Sequence, residues 1–213
     1  NYRIWLRPID LWLCCHPNAQ PPIAPAIQQE ENNRLKFYSV GDDEDEWERL
    51  RSECPHFSPK TKTIKMLRSG LDGHVKVVVL ERSYICKDHR NLHSRFLSKK
   101  FRDRPSHCSR LHFFSSEQIN RDSLFRRPIE AQDHYLGFSV IRPIPERELG
   151  RTVIDAEKMG LTHEGGAYYM RTRFRANLNG VDLYLQGFPF MTQDVEATGC
   201  SHAALWGICR YLS

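Results

Sequence analysis

GAYYMRTRFRANLNGVDLYLQGF, residues 166–188, decides the fold class of this chain. Two segments with alternating apolar and polar residues, 166–178 and 181–188, flank the dipeptide Asn179-Gly180. Alternation is typical of a strand with one buried face, and Asn-Gly favours a hairpin turn because both residues tolerate positive φ. The stretch therefore predicts paired antiparallel strands, in a sheet that is antiparallel or mixed rather than doubly wound and parallel.

The sequence upstream of this hairpin has a regular pattern of strands and helices. Four short segments rich in β-branched and aromatic residues predict further strands: 75–85, 109–115, 133–144 and 151–156. Between the first two, residues 91–101 show the apolar period of a helix, with Phe96 and Phe101 on its buried side. We therefore expect an α+β fold.

The chain is predicted to have three regions. Residues 1–33 combine an apolar start with a stretch rich in Pro and Gln, which is typical of an extended arm. Residues 34–74 are acidic and polar and are expected to connect this arm to the rest; the acidic run 41–50 within them is either a helix start or a solvated loop. Residues 75–213 form the α+β domain, which we expect to be truncated.

Composition narrows the class of protein. The chain has 213 residues, 40% of them hydrophobic and 27% charged, as in an ordinary globular protein. Its apolar runs are too short for a membrane span, and its N-terminal segment lacks the layout of a signal peptide. Its seven cysteines follow no repeating framework, which favours reduced thiols. We therefore expect a cytoplasmic protein with no membrane partner, and we predict no cofactor.

The segment QDVEATGCSHAALWGICRYL, residues 193–212, has the pattern of a thiol nucleophile at the start of a helix. Cys200 opens a helix that is apolar on all sides and is therefore expected to be buried. Unpaired amides and the helix dipole favour a thiolate at such a position. Gln193 precedes it and can direct an amide donor toward an oxyanion. The alternative is structural, because a cysteine beside Ala and Leu commonly serves only in packing.

The order Gln193, a short loop, Cys200 and then Ala203-Ala204-Leu205-Trp206 resembles the start of the central helix in papain-like cysteine peptidases, including the bacterial double-glycine-leader peptidase branch. The resemblance is confined to residues 193–212. It implies a partly papain-like fold, Cys200 as nucleophile, Gln193 as oxyanion-hole donor and a later histidine as general base. The loop before Cys200 is not the compact glycine-cysteine loop of papain, and no histidine follows the helix before Ser213.

We therefore expect the general base either to lie beyond the truncated end of this domain or to come from upstream. His134 follows Asp133, a carboxylate able to orient it, and His163 lies in the loop LTHEGG. We predict a thiol hydrolase that cleaves an amide or isopeptide bond of a protein or peptide substrate. Its candidate catalytic residues are Cys200, Gln193, His134 and His163, and a protein partner could supply or order the site.

Two further patterns remain open. Cys86, His89 and His93 have the spacing of zinc ligands, although no second close cysteine pair accompanies them. The basic region 82–110 suits contact with phosphate, but a solvated helix face has the same composition. This region supports an alternative function, a non-catalytic module that binds an acidic protein or nucleic acid, of which nucleic acid is not the favoured partner.

Overall fold

A computed structural model describes residues 34–41, 44–54, 56–58, 60–100, 104–160, 171–192 and 200–212. At 200–203 and at 210 it describes the backbone without the side chain. The compact unit Leu35–Ser213 contains all of these residues except Arg34. The predicted arm, residues 1–33, lies outside them.

A five-stranded sheet forms the centre of this unit. Its strands follow one another in chain order and each is antiparallel to the next: β1 (Leu35–Ser39), β2 (Val77–Tyr84), β3 (Cys108–Phe114), β4 (Tyr135–Ile141) and β5 (Leu149–Ile154). All four strands predicted upstream of the hairpin are present as β2 to β5. The antiparallel pairing confirms the α+β class.

One face of the sheet is covered by two helices, α1 (Glu44–Glu53) and α2 (Lys62–Leu71). Leu50 of α1 and Ile64 of α2 pack with Val78 of β2 in one buried cluster. The region 34–74 thus contributes a strand and two helices to the same unit, which differs from its expected role as a connector. Its apolar residues are spaced so that they reach the core while the charged ones between them face solvent.

The opposite face is covered by the predicted hairpin. Strands β6 (Thr172–Leu178) and β7 (Val181–Gly187) form a separate two-stranded sheet. Asn179 and Gly180 turn the chain with φ of 47° and 95°, as the Asn-Gly signal predicts. The buried side chains of the hairpin are Ala176, Leu178, Leu183 and Leu185, which join the second core cluster.

The end of the hairpin lies unusually close to β5. A Cβ at Gly187 would be 2.6 Å from the carbonyl oxygen of Ile154, so only glycine permits this approach. Within the large sheet, Gly137 has φ of 145°, and a Cβ there would be 2.2 Å from the carbonyl oxygen of Val153. Both glycines allow backbones to meet where a side chain would separate them.

The remaining helices are short apart from the last. They are α3 (Lys87–Arg95), a 3-10 turn (Leu97–Lys99), α4 (Arg121–Arg126), α5 (Pro128–Asp133) and α6 (Cys200–Leu212). The predicted helix at 91–101 starts earlier and ends at Arg95, so Leu97 is buried and Phe96 is 45% exposed. The expected burial of Phe96 is wrong, because the change to a 3-10 turn rotates the following side chains. None of the described helices combines the length and apolar character that a bilayer span requires.

The predicted burial of the Cys200 helix is also wrong. Four apolar side chains of α6 are between 40% and 76% exposed: Leu205, Ile208, Tyr211 and Leu212. Among the residues of α6 whose burial is described, only Gly207 is buried and only Trp206 is half-buried. An apolar composition predicts that a helix would gain free energy from burial. It does not determine how many sides of that helix the rest of the described chain covers.

Candidate functional site

The helix predicted to carry the nucleophile begins at Cys200. Its first backbone amides therefore lack intrahelical partners next to this residue. The side chain of Cys200 lies outside the described residues, as do Gln193 and His163. Of the four candidate residues, His134 is the one whose side-chain surroundings are described.

The chain immediately before residue 193 is held by a buried arginine. Arg142, which follows β4 and is 4% exposed, places Nη2 3.0 Å from the carbonyl oxygen of Thr192 and 2.7 Å from its Oγ1. The same nitrogen donates to the carbonyl oxygens of Arg147 and Leu149, at 2.8 and 3.2 Å. A charged donor shared among several carbonyls fixes the backbone at Thr192.

Backbone pairing adds to this anchor. Phe190 and Thr152 exchange two hydrogen bonds of 2.8 Å, which attach the chain after the hairpin to β5. The amide of Thr192 donates to the carbonyl oxygen of Leu149, 3.1 Å away. The predicted oxyanion loop therefore starts from a backbone that is fixed to the edge of the large sheet.

Helix α6 contacts β5 through an arginine. The guanidinium carbon of Arg151, in β5, lies 5.5 Å from the ring centroid of Trp206, which is a cation–π distance. Nη2 of Arg151 also forms an ion pair with Oδ2 of Asp88 in α3, 2.9 Å away. On the same helix, Gly207 faces the ring of Phe188. Arg151 therefore connects α6 to both β5 and α3.

His134 lies at the other end of β4 from this anchor. It caps the C-terminal end of α5, its side chain is exposed, and its Nδ1 is 3.3 Å from Oγ of Ser115. Because β4 has seven residues and separates His134 from Arg142, the two are roughly 25 Å apart along the strand. His134 and the Thr192 anchor are therefore at opposite ends of the strand.

The histidines in the zinc-like pattern contact backbone oxygens. His89 is buried, with Nε2 2.9 Å from the carbonyl oxygen of Pro105, and Nε2 of His93 is 2.9 Å from that of Arg104. In the part of the chain that the structure describes, no group of three or more His, Cys, Asp and Glu side chains could hold a metal ion. The two histidines therefore hold Arg104 and Pro105, which follow the 3-10 turn, against α3.

A buried polar network, which sequence reasoning missed, crosses β2, β3 and β4. Nε of Arg110 donates to Oε2 of Glu81 at 2.8 Å, and Nδ1 of His112 is 2.9 Å from the hydroxyl of Tyr135. Arg110 also donates to the carbonyl oxygen of Asn177 in the hairpin. All four charged or aromatic members are at most 5% exposed. The alternation of Arg110 and His112 with apolar residues in SRLHFF was the available signal.

The pKa shifts of His112 and Glu81 indicate which members of the network are charged at neutral pH. Burial lowers the pKa of His112 to about 4, so its imidazole is neutral at neutral pH. Burial raises the pKa of Glu81, but the nearby imidazole of His112 and the charge of Arg110 outweigh it and leave that pKa below its usual value. The network is therefore an ion pair with a neutral histidine beside it, suited to holding the hairpin on the sheet.

The chain matches no protein-family model, no curated protein and no solved structure. Its function is therefore argued from the residues and the geometry described above.

Proposed function

We propose that this protein is a thiol hydrolase of the cysteine-peptidase type, with Cys200 as its nucleophile. The observation that carries the proposal is the start of α6 at Cys200 itself. A thiolate there would face free backbone amides and the positive end of the helix dipole. The anchored residue Thr192 supports the assignment, because the segment that contains Gln193 begins directly after this fixed residue.

The proposed chemistry is acyl transfer to water. The Cys200 thiolate attacks the carbonyl carbon of an amide or isopeptide bond, and the resulting oxyanion accepts hydrogen bonds from the side-chain amide of Gln193 and the backbone amide of Cys200. A histidine donates a proton to the leaving amine, and water then hydrolyses the thioester to a carboxylate and the free thiol. His163 is the favoured base, because His134 lies at the far end of β4 from the Thr192 anchor.

The test is the relative reactivity of two cysteines in the same helix. Cys209 also lies in α6, is exposed, and is nine residues away from the helix start. We expect iodoacetamide near neutral pH to label Cys200 at least about tenfold faster than Cys209, because only Cys200 has a helix start to favour its thiolate. Peptide-resolved mass spectrometry of the intact chain after timed labelling measures both rates at once.

Two variants make this test specific. Cys209→Ala should leave the rate at Cys200 unchanged, and His134→Ala should do the same if His163 is the base. Equal labelling rates of Cys200 and Cys209 would show that the start of α6 does not activate the Cys200 thiol, and would contradict the proposal.

The exposed charges of α3 favour a second candidate function, the binding of an acidic partner. Arg82 forms an ion pair with Glu53, and Arg110 forms one with Glu81, so neither arginine is expected to bind a ligand. Five cations between residues 87 and 100 are exposed instead, and together they define the α3 basic surface: Lys87, Arg90, Arg95, Lys99 and Lys100. The ring of Phe96 is exposed among them. An acidic protein or nucleic acid would bind here without any role for Cys200.

Salt dependence tests this second candidate. With a single-stranded oligonucleotide or a polyglutamate peptide as probe, the affinity should fall steeply as the salt concentration rises, with a log–log slope of roughly 0.7–0.9 per neutralised charge. Charge removal by Arg90→Gln and Arg95→Gln together should reduce that slope by about 1–2 units. The pair Lys62→Gln and Lys65→Gln, exposed on α2, is the matched control and should leave it unchanged. Equal effects of the two pairs would argue against a specific surface.

A further inference from the structure

Two buried cysteines meet where β2 passes into α3. Cys86 occupies the N-cap position of α3, directly before Lys87, with extended backbone (φ −80°, ψ 121°). Cys108 is the first residue of β3 and pairs with Tyr84, the last residue of β2. Cys86 therefore lies two residues beyond the strand partner of Cys108, both side chains belong to the same buried cluster, and each thiol shifts the pKa of the other.

The surroundings of the pair differ from those of an ordinary packed cysteine. Cys86 is 3% and Cys108 4% exposed, and both are free thiols. Cys86 directly precedes the first turn of α3, and the backbone amides of His89 and Asp88 act to lower the pKa of its thiol. The sulfur of Cys86 therefore lies at a helix N-terminus, where a negative charge is favoured.

The two sulfurs are not equivalent. The neighbouring thiol of Cys108, together with the amides at the start of α3, lowers the pKa of Cys86 against the opposing effect of burial. The sulfur of Cys86, together with burial, raises the pKa of Cys108. Cys86 is therefore the nucleophilic member and Cys108 the proton-bearing member. Charges from two neighbouring elements act on the pair, Asp88 on both sulfurs and Arg142 on Cys108.

We propose that Cys86 and Cys108 are a redox pair that closes to a disulfide when oxidised by a small hydroperoxide. The Cys86 thiolate attacks a peroxide oxygen, the O–O bond breaks, and Cys86 becomes a sulfenic acid as hydroxide leaves. The sulfur of Cys108 then attacks the sulfur of Cys86, the S–OH bond breaks, and the S–S bond forms. With hydrogen peroxide as this oxidant, the protons of the two thiols end in the two water molecules formed, and the two electrons pass from the sulfurs to the peroxide.

The geometry favours this step over further oxidation. The two side chains share one buried cluster at the paired ends of β2 and β3, and a disulfide between them has an S–S bond of about 2.05 Å. The Cys108 sulfur therefore lies ready to resolve a sulfenic acid before a second peroxide reaches the buried site. A small uncharged oxidant suits the low exposure of both residues. The inference is independent of the thiol hydrolase proposal, because it concerns neither Cys200 nor its helix.

The closed disulfide would enclose residues 87–107, which include α3 and the α3 basic surface. It would also fix the first turn of α3, from which Asp88 reaches Arg151. Oxidation would therefore restrict the segment that carries the α3 basic surface.

Peptide mapping of the intact chain tests the pair directly. Trypsin is expected to release Cys86 in residues 83–87 and Cys108 in residues 103–110, each with a single cysteine. The experiment uses Cys200→Ala protein treated with hydrogen peroxide, blocked with N-ethylmaleimide under denaturing conditions and digested without reductant. We expect a peptide 83–87 joined to 103–110, accompanied by the loss of both alkylated forms and restored to them by dithiothreitol.

Cys54→Ser is the matched control, since Cys54 is buried and free but lies in the other core cluster. The link should form equally in this variant. Recovery of both cysteines as alkylated peptides after peroxide, a link from either one to a different cysteine, or sulfinic acid at Cys86 would each overturn the proposal. The map of the Cys200→Ala protein alone decides between these outcomes, so the result does not depend on whether a Cys86 variant folds.

Discussion

Arg110→Ala is expected to lower the free energy of unfolding by about 3–5 kcal/mol. The substitution leaves the carboxylate of Glu81 buried without its cation, and removal of one partner of a buried ion pair is far more destabilising than its net contribution implies. It also deletes the hydrogen bond to the carbonyl oxygen of Asn177, which joins the hairpin to the sheet. Urea denaturation followed by circular dichroism measures the change.

The pH dependence of this effect identifies its cause. The pKa of Glu81 lies below its usual value in the folded protein, so the ion pair stabilises the fold at neutral pH and loses this contribution as pH falls through the folded pKa. In Arg110→Ala, Glu81 is easily protonated. The difference between variant and wild type should therefore shrink as pH falls below about 4.3, the ordinary glutamate value.

Two comparisons keep this prediction specific. Arg127→Ala removes an exposed ion pair with Glu130 and should change stability by no more than about 0.5 kcal/mol. Glu81→Leu combined with Arg110→Met removes both buried charges and should recover most of the lost stability. An Arg110→Ala protein within 1 kcal/mol of wild type at neutral pH would contradict a structural role for the network.

Arg142→Ala is expected to destabilise the protein by about 3 kcal/mol or more, with the largest local effect at residues 188–192. Its guanidinium donates to three carbonyl oxygens and to a hydroxyl, and alanine would leave these buried acceptors without a charged donor. Hydrogen exchange of peptides covering Phe190 and Thr192 should become faster than that of the central strands. Under the thiol hydrolase proposal, the labelling rate of Cys200 should fall as well.

The conservative variant separates charge from geometry. Arg142→Lys keeps the charge but cannot reproduce the planar fork, so it should restore less than half of the stability that Arg142→Ala loses. Arg126→Ala removes an exposed arginine whose nearest carboxylate is 3.8 Å away, and it should be neutral. If exchange at 188–192 is unchanged in Arg142→Ala, the anchor does not hold the chain before residue 193.

The strands were predictable because their local signals agree with their environment. In β2, five consecutive residues from Val77 to Glu81 are buried, consistent with a central strand covered on both faces. The turn at Asn179-Gly180 was predictable for a similar reason, since it depends on two adjacent residues alone. The helix start at Cys200 also agrees with its local sequence.

What sequence did not provide was the set of partners for each element. The apolar pattern of residues 35–40 was visible, but pairing with β2 joins it to residues about forty positions away. The same limit explains α6, whose apolar character gave no information about how much surface would cover it. Arg110 and Arg142 could be recognised as arginines at strand positions, yet their acceptors lie on other strands and loops and depend on the assembled sheet.

The strand order of the large sheet bears on how this protein is made. Because each strand pairs with the next one along the chain, every strand that leaves the ribosome after β1 finds its neighbour already synthesised. Pairing can then advance from the N-terminal side, and the hairpin follows after β5. Phe190 attaches to Thr152 only when that strand is in place. Helix α6 is therefore expected to join a scaffold that has already folded, so that a reactive thiol at Cys200 would be produced after the sheet that supports it.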